Sequence, residues 1–435
     1  MNDKGQVYFQ NELSGTISKK EDGSFEFNYE DNTPSVSLTL PNTQSRYHSE
    51  DLFPFFDGLI PEGWLLNLTQ KNWKIPKNDR MTLLLTTCQD CIGAVHVHQQ
   101  DIKLDEAGPT NLTKKQEEHH FESAQCLICM EALETPKDLY HKKCAKNLFG
   151  FTHAPIVNIS DSDFEQLALL QINQRLTLTG VQRKLSLSTS ISEKKERLTV
   201  VGFDGRFILK PSSSDYPEMA QLEHLCMKLA KIQKIPVAEC GLVYLTGGEL
   251  AYITKRFDRV DGKKIQMEDF CQLSGKSTEK KYTGSAEALG KVIDQFSAFP
   301  QDDKLTLFQI ILFSFWTGNS DMHLKNFSLW KDPKSDSIRL SPCYDLINTR
   351  LLISAKEDPE ELALPINGKK SKLGWNDFLI LGKSYKLPEK VLVGIKEKML
   401  DSIFETQDLI FKSFLSEDKK EEFLKLLEDR SSRLM

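Results

Sequence analysis

The sequence predicts an α+β fold with a β-rich N-terminal half, a helical C-terminal lobe and a small α+β subdomain in front. Two strand-like segments flank a Lys-Glu-Asp-Gly turn near the N-terminus, and short alternating segments recur in the middle of the chain. From about residue 261 the apolar residues recur mostly at helical spacing. At 435 residues the chain is long enough for two or three domains, each with its own hydrophobic core.

The domain boundaries follow these changes of pattern. The N-terminal subdomain has a predicted hairpin around residues 20–23 and then the helical stretch "LFPFFDGLIPEGWLLNLTQKNW". The polar, aperiodic stretch "DIKLDEAGPTNLTKKQEEHH" indicates a linker. The predicted units are the subdomain 1–105, the linker 106–123, a Cys/His-rich insertion 124–150, a β-rich lobe 151–260 and a helical lobe 261–435.

The β-rich lobe is predicted from strand patterns around one amphipathic helix. "RKLSLSTS" and "RFILKPSS" alternate, and "CGLVYLTGGELAYITKRFDR" is typical of two strands joined through Gly247 and Gly248. Between them, "PEMAQLEHLCMKLAKI" carries apolar residues along one helical face. In the helical lobe, "DKLTLFQIILFSFWTG" is apolar all round, which indicates a buried helix that ends at Gly318.

The composition limits the classes of function. Hydrophobic residues make up 39% of the chain and charged residues 27%, and no apolar run reaches the roughly 18 residues that a membrane span requires. The polar N-terminus has no signal-peptide core, so the sequence predicts a cytoplasmic protein without a membrane partner. A net charge of −6 with mixed signs argues against an autonomous nucleic-acid-binding protein, so contact with DNA would require a partner.

The stretch "GNSDMHLKNFSLW", which follows the apolar helix, concentrates residue types that support phosphate chemistry. Asp321 and Asn326 have the same spacing as the catalytic Asp and the metal-binding Asn of protein-kinase catalytic loops. A carboxylate can orient or deprotonate an attacking hydroxyl, and an amide oxygen can bind Mg²⁺ without adding negative charge. The same two residues could instead cap a helix end. A predicted hairpin over residues 327–346 would bring Asp345 back as a second Mg²⁺ ligand.

The upstream half of the chain holds the other parts that a kinase needs, in the expected order. Lys210 ends the strand "RFILK" and could bind nucleotide phosphates, and Glu223 on the next helix could hold that lysine. Lys255 to Phe257 follow the strand "ELAYI", where a kinase has its adenine hinge. Taken singly, these residues could also be an ordinary lysine at a strand end and a solvated helix face.

These motifs together resemble one family. "LTGVQRKLSL", "RFILKPS", "EHLCMKLA", "ITKRFDR", "MEDFCQ", "GNSDMHLKNFSL" and "SPCYDL" are similar to the HipA-like serine/threonine kinase toxins. "FFDGLIPEGW" and "CQDCIGAVHV" resemble the N-terminal subdomain of full-length members, so the resemblance covers almost the whole chain. It implies an atypical protein-kinase fold that uses ATP and Mg²⁺.

The resemblance also implies roles for individual residues. Asp321 would be the catalytic aspartate, with His323 supporting its loop and Lys210 binding phosphate; Asn326 and Asp345 would hold Mg²⁺. The implied nucleotide-binding residues are Thr179, Gly180, Lys210, Glu223, Lys255, Arg256 and Phe257. Members of the family phosphorylate aminoacyl-tRNA synthetases, block translation and are restrained by a helix-turn-helix antitoxin encoded beside them. For this chain we therefore expect a HipB-like antitoxin as partner and contact with DNA only through that antitoxin.

Two features depart from the best-known members. Thr177 and Thr179 stand where the family has autophosphorylated serines, so we expect phosphorylation at one of them, with a changed rate or site. The insertion "CLICMEALETPKDLYHKKC" is absent from those members. Its Cys126, Cys129, His141 and Cys144 form two chelating pairs suited to one tetrahedral, structural Zn²⁺, although unmetallated buried thiols remain an alternative. Cys88 and Cys91 lack a second pair nearby and are expected to pack in a core.

Three functions are compatible with these patterns. The leading prediction is a protein Ser/Thr kinase toxin. An Asp-x-His-x-x-Asn loop also resembles lipid-kinase loops, so a small-molecule or lipid phosphotransferase is an alternative. A non-catalytic module that co-represses its operon with a DNA-binding partner is a third.

Overall fold

The computed structural model describes residues 4–99, 121–176, 178–192, 195–200 and 205–435. In chain order, the strands are β1 (Lys4–Phe9), β2 (Glu12–Lys19), β3 (Phe25–Tyr29), β4 (Arg46–Ser49), β5 (Val95–Gln99), β6 (Ile156–Val157), β7 (Leu185–Ser192), β8 (Lys195–Val200), β9 (Phe207–Pro211), β10 (Cys240–Tyr244), β11 (Leu250–Lys255), β12 (Arg259–Val260), β13 (Lys263–Lys264), β14 (Met267–Asp269), β15 (Ser328–Asp332) and β16 (Ser337–Leu340). The α-helices are α1 (Pro54–Leu59), α2 (Gly63–Trp73), α3 (Arg80–Thr87), α4 (Lys142–Phe149), α5 (Phe164–Asn173), α6 (Met219–Ile232), α7 (Phe270–Leu273), α8 (Ala286–Phe296), α9 (Pro300–Thr317), α10 (Trp375–Ser384), α11 (Glu389–Asp401), α12 (Ile403–Phe411) and α13 (Glu417–Leu434).

The N-terminal subdomain is a five-stranded antiparallel sheet, in the order β4-β3-β2-β1-β5, with α1 to α3 beside it. The predicted hairpin is confirmed, with Lys19 opposite Phe25 across the turn. The first of the two strand-like segments predicted around this turn, however, forms two strands, β1 and β2, because the chain turns back after Phe9. Cys88 and Cys91 are buried in this core, as expected. Most of the predicted linker 106–123 lies outside the described residues.

The β-rich lobe contains a six-stranded sheet in the order β10-β11-β9-β7-β8-β6, in which β6 and β8 form the parallel pair. The two strands predicted around Gly247 and Gly248 are confirmed as the antiparallel pair β10 and β11. The predicted helix is confirmed as α6, which packs its apolar face against β9, β10 and β11. This packing places the helix directly behind the strand that carries Lys210.

The helical lobe is built around α9, whose last eight residues are all buried, as predicted. Gly318 ends the helix with φ 75°, and a β-carbon there would lie 2.5 Å from Leu426, so only glycine fits without a shift. The predicted hairpin is confirmed as β15 and β16, and the short strand β14 extends it to three strands. No helix among the described residues is long and apolar enough to cross a membrane.

Candidate active site

A single cavity brings together side chains from the N-terminal subdomain, the six-stranded sheet and the loop after α9. The residues predicted from the sequence that line it are Thr179, Gly180, Lys210, Lys255, Arg256, Phe257, His323, Asn326 and Asp345. Glu223 lies directly behind Lys210, whereas Asp321 lies outside the cavity lining. Thr177 is outside the described residues.

Lys210 forms the electrostatic centre of the cavity. Its ammonium group, on β9, donates a 2.7 Å hydrogen bond to Glu223 on α6 and a second, short one to Asp345. Burial alone would lower the pKa of Lys210, but the carboxylates of Asp345 and Glu223 raise it above its usual range. The lysine therefore stays charged in a buried position, where it can attract phosphate oxygens once a ligand competes for Asp345.

Asn326 and Asp345 supply the oxygen atoms that a divalent cation would need. Asp345 follows β16 with φ 56°, a left-handed conformation that is uncommon outside glycine and recurs at functional sites. Burial would raise its pKa, but Lys210 and Lys184 hold the pKa at about 2, so the group is a carboxylate. The Asn326 side-chain amide has no hydrogen-bond partner within the described parts of the chain. A carboxylate and a free amide oxygen fit Mg²⁺.

Asp321 lies at the exit of α9 and is engaged by a residue that the sequence did not indicate. Its carboxylate accepts a 2.7 Å hydrogen bond from the hydroxyl of Tyr282, a side chain that is 45% exposed. The Tyr282 ring packs edge-on against His323, with ring centroids 4.9 Å apart. Burial lowers the pKa of His323, so the imidazole is neutral. Its buried Nδ1 has no partner among the described residues, which leaves one polar atom for a ligand.

The segment predicted as an adenine hinge, Lys255 to Phe257, lines the cavity. The guanidinium of Arg256 pairs with Asp258 at 2.8 Å and is buried, so this side chain does not face a nucleotide. Phe257 packs against Trp330 and Tyr344, with ring centroids 5.4 and 6.0 Å away. The Phe257 N–H has no hydrogen-bond partner in the described part of the chain, and a purine could accept from it.

Lys184, Lys325 and Glu62 are among the charged cavity residues that were not assigned a role from the sequence. Lys184 donates a 2.5 Å hydrogen bond to the carbonyl of Thr179 and so fixes the glycine loop, residues 178–184, which contains Gly180. Lys325 is buried beside Asn326, and Glu62 reaches the cavity from the N-terminal subdomain. Lys184 and Lys325 both occur inside the motifs quoted above, but a lysine in a sequence does not indicate that its side chain is buried. Nothing in the local pattern around Glu62 indicates a contact with another lobe.

The Cys/His cluster forms a compact knuckle that could hold a metal ion. The ligand atoms of Cys126, Cys129, His141 and Cys144 all lie within 4.8 Å of one another. Sulfur atoms around one tetrahedral Zn²⁺ would be about 3.8 Å apart for Zn–S bonds of about 2.3 Å, so this spacing is compatible with one ion. His141 Nε2 is 3.0 Å from the carbonyl of Ala132, which leaves Nδ1 facing Cys129 at 3.3 Å.

The knuckle packs directly on the β-rich lobe. The Leu242 N–H of β10 donates to the carbonyl of Leu127 at 2.8 Å, and the Tyr140 hydroxyl donates back to the carbonyl of Leu242 at 2.8 Å. His224 of α6 is 3.0 Å from the carbonyl of Ile128 through its Nε2. The knuckle therefore contacts the helix that carries Glu223.

Comparisons with known proteins agree with this architecture. A family model described as "HipA-like C-terminal domain" matches residues 176–407, and one described as "HipA N-terminal domain" matches residues 5–98. The Sinorhizobium fredii protein Y4mE, provisionally named a kinase, is 27% identical over 394 residues, which cover 86% of this chain and 84% of its own. The "Serine/threonine-protein kinase toxin HipA" of Shewanella oneidensis is 27% identical over 233 residues, which cover 49% of this chain and 51% of its own.

A solved structure extends the likeness to the whole fold. The structure titled as the Shewanella oneidensis toxin-antitoxin system of HipA, HipB and operator DNA matches with a TM-score of 0.69 at 20% identity and covers 99% of this chain and 97% of that one. The fold is therefore the atypical kinase-like α+β fold that the sequence predicts. With more than half of its length matched by the C-terminal family model and its N-terminus by the second, the chain belongs to the HipA-like kinase toxin family.

Proposed function

We propose that this protein is an ATP-dependent serine/threonine protein kinase that acts as the toxin of a toxin-antitoxin system. The observation that supports the proposal most is the pair of bonds from Lys210 to Glu223 and Asp345 beside Asn326, because a kinase site needs these four groups together. They come from four separate elements, namely β9, α6, the loop after α9 and the segment after β16. Neither a helix cap nor the closure of a turn would require these groups to meet.

The proposed roles follow the geometry. Lys210 binds phosphate oxygens of ATP, and Asn326 and Asp345 hold Mg²⁺, which when bound neutralises charge on the transferring phosphate. Asp321 orients the acceptor hydroxyl and receives its proton; the hydroxyl of Tyr282 already donates to this carboxylate at 2.7 Å. His323 is proposed to support the loop between Asp321 and Asn326. Thr177 or Thr179 is the proposed autophosphorylation site, and zinc in the Cys/His knuckle is proposed to be structural.

The proposed partners come from the family. The chain's similarity to a HipA solved with HipB and operator DNA supports a HipB-like antitoxin as partner, with DNA contacted through that antitoxin. The proposed substrate is a protein, with an aminoacyl-tRNA synthetase as the first candidate, and phosphorylation would arrest translation and growth in the cytoplasm.

The test is transfer of the γ-phosphate of labelled ATP by the purified full chain to the protein, lipid and small-molecule fractions of a cell extract. We expect Mg²⁺-dependent label in protein, lost in Lys210→Met and kept in the control Lys331→Met, a surface lysine that pairs with Asp336. Label confined to lipid or small molecules would favour the alternative phosphotransferase. Absence of both Mg-ATP binding and transfer would overturn the proposal and favour a non-catalytic co-repressor.

A further inference from the structure

Glu62 connects the N-terminal subdomain to both sides of the candidate nucleotide site. It directly precedes α2, yet none of its side-chain partners among the described residues belongs to its own subdomain. One oxygen accepts from the Gly180 N–H at 3.2 Å and lies 3.4 Å from the ammonium of Lys325. The other oxygen accepts from Lys281 at 2.8 Å. A single carboxylate therefore joins the glycine loop to the loop that carries Asn326.

The surroundings keep this carboxylate charged. Glu62 is 7% exposed, and such burial would raise its pKa, but Lys325 and Lys281 hold the pKa at about 2. Lys325, itself buried, has Glu62 and, at 3.7 Å, Asp269 as its carboxylate partners within the described chain. Removing the charge of Glu62 would leave two buried lysines with weaker compensation.

The main chain beside Glu62 fixes the same loop. Gly63 has φ 56°, and a β-carbon there would lie 2.5 Å from the backbone of Val181, so helix α2 begins in close contact with the glycine loop. The Trp64 N–H donates to the carbonyl of Val181 at 3.3 Å. Glu62 is thus held at a fixed place against Gly180.

We propose that Glu62 is a positioning residue of the active site. Through Glu62, the N-terminal subdomain holds the glycine loop closed and fixes the position of the loop that carries Asn326. The inference rests on the proposed function of the cavity as a Mg-ATP site. The bond to Gly180 sets the affinity for ATP, and the ion pairs with Lys281 and Lys325 set the rate of transfer. The N-terminal subdomain is then part of the enzyme.

Two substitutions separate these contributions. Glu62→Gln keeps an oxygen that can accept from Gly180 but removes the charge, whereas Glu62→Ala removes both. A hydrogen bond to a charged group changes an equilibrium or rate by about 10- to 100-fold. We therefore expect kcat to fall by about tenfold or more in both variants, with KM for ATP raised about tenfold in Glu62→Ala and within about twofold of wild type in Glu62→Gln.

Glu268→Gln is the matched control. Glu268 is also buried at this domain boundary, where it accepts from the Ser37 hydroxyl at 2.6 Å and the Leu38 N–H at 2.8 Å, and none of its hydrogen-bond partners in the described chain belongs to either loop. This variant should keep both kcat and KM. Hydrogen exchange at the Gly180 amide should accelerate in Glu62→Ala and stay at the wild-type rate in Glu268→Gln.

The outcomes distinguish this inference from the proposed function. If the wild type transfers phosphate and Glu62→Gln retains its kcat, the inference is overturned. An equal loss in Glu268→Gln would also overturn it, because the effect would then be that of a disturbed domain boundary. If Glu62→Ala does not fold, the kcat of Glu62→Gln decides alone. A wild-type chain that neither binds Mg-ATP nor transfers phosphate would instead overturn the proposed function.

Discussion

Removing the metal from the Cys/His knuckle should destabilise the β-rich lobe, because the knuckle covers β10 and α6 with apolar side chains. Leu127, Ile128 and Met130 are at most 6% exposed. Full burial contributes about 1.5–3 kcal/mol per side chain of this size, so the three together contribute at most about 5–9 kcal/mol. Tyr140, Leu148 and Phe149 of this region are buried as well, and a bound metal would supply much of the order that keeps Leu127, Ile128 and Met130 in place.

If half of that contribution is lost with the metal, the unfolding midpoint of the 435-residue chain should fall by about 3–5 °C. The assay is thermal unfolding of the full chain before and after chelation, with elemental analysis expected to find about one zinc per chain. Cys144→Ser should unfold at a similarly low temperature and respond no further to chelator, whereas Cys343→Ala, which changes a buried cysteine outside the knuckle, should keep the full response. An unchanged midpoint after proven zinc removal, or protein purified without chelator that holds no metal, would refute the reasoning.

Three further predictions concern the cavity. Asp345→Asn should weaken both Mg-ATP binding and transfer by roughly 10- to 100-fold, because it removes a proposed Mg²⁺ ligand and a partner of Lys210. The measurement is calorimetric titration with and without Mg²⁺, and equal binding of Mg-ATP by the variant and the wild type would contradict this. Burial lowers the pKa of Lys184 to about 8, so Mg-ATP affinity should fall as the pH rises through that value, and Lys184→Met should show no such fall. After incubation with Mg-ATP, peptide mapping should find phosphate on Thr177 or Thr179 together with a higher KM for ATP, since the added negative charge repels the nucleotide; an unmodified 171–184 peptide from active enzyme would contradict this.

Helices and strands whose apolar residues recur at a regular spacing could be predicted from the sequence. Helices α6 and α9 and the pair β10 and β11 follow their apolar patterns because one face, or every face, meets the core. The division between β1 and β2 was missed because the chain turns there without a glycine or proline. Strand β14 has three residues, too few to show a period, and pairing with β15 defines it.

Residues of the candidate site could be proposed from the sequence where they lie in one stretch, and less so where their meeting depends on packing between distant elements. Asp321 and Asn326 could be singled out from their spacing, and Lys210 and Glu223 from their order. Glu62 lies 118 residues from the Gly180 amide that it binds, and Tyr282 lies 39 residues from Asp321. Such contacts arise from the way the lobes pack, which no local pattern reports.

The most direct test of the proposed kinase function is the rate of phosphate transfer by Asp321→Asn. Asparagine keeps the shape and can still accept from Tyr282, but it lacks the charge that orients the acceptor hydroxyl and receives its proton. We expect turnover to fall by roughly 10²- to 10⁴-fold with little change in Mg-ATP affinity, and growth arrest on expression to disappear. Asp336→Asn, a change at an 84% exposed side chain in the β15–β16 turn, should behave as wild type. Near-wild-type transfer by Asp321→Asn would contradict the catalytic assignment and leave Asp321 as a helix-end residue.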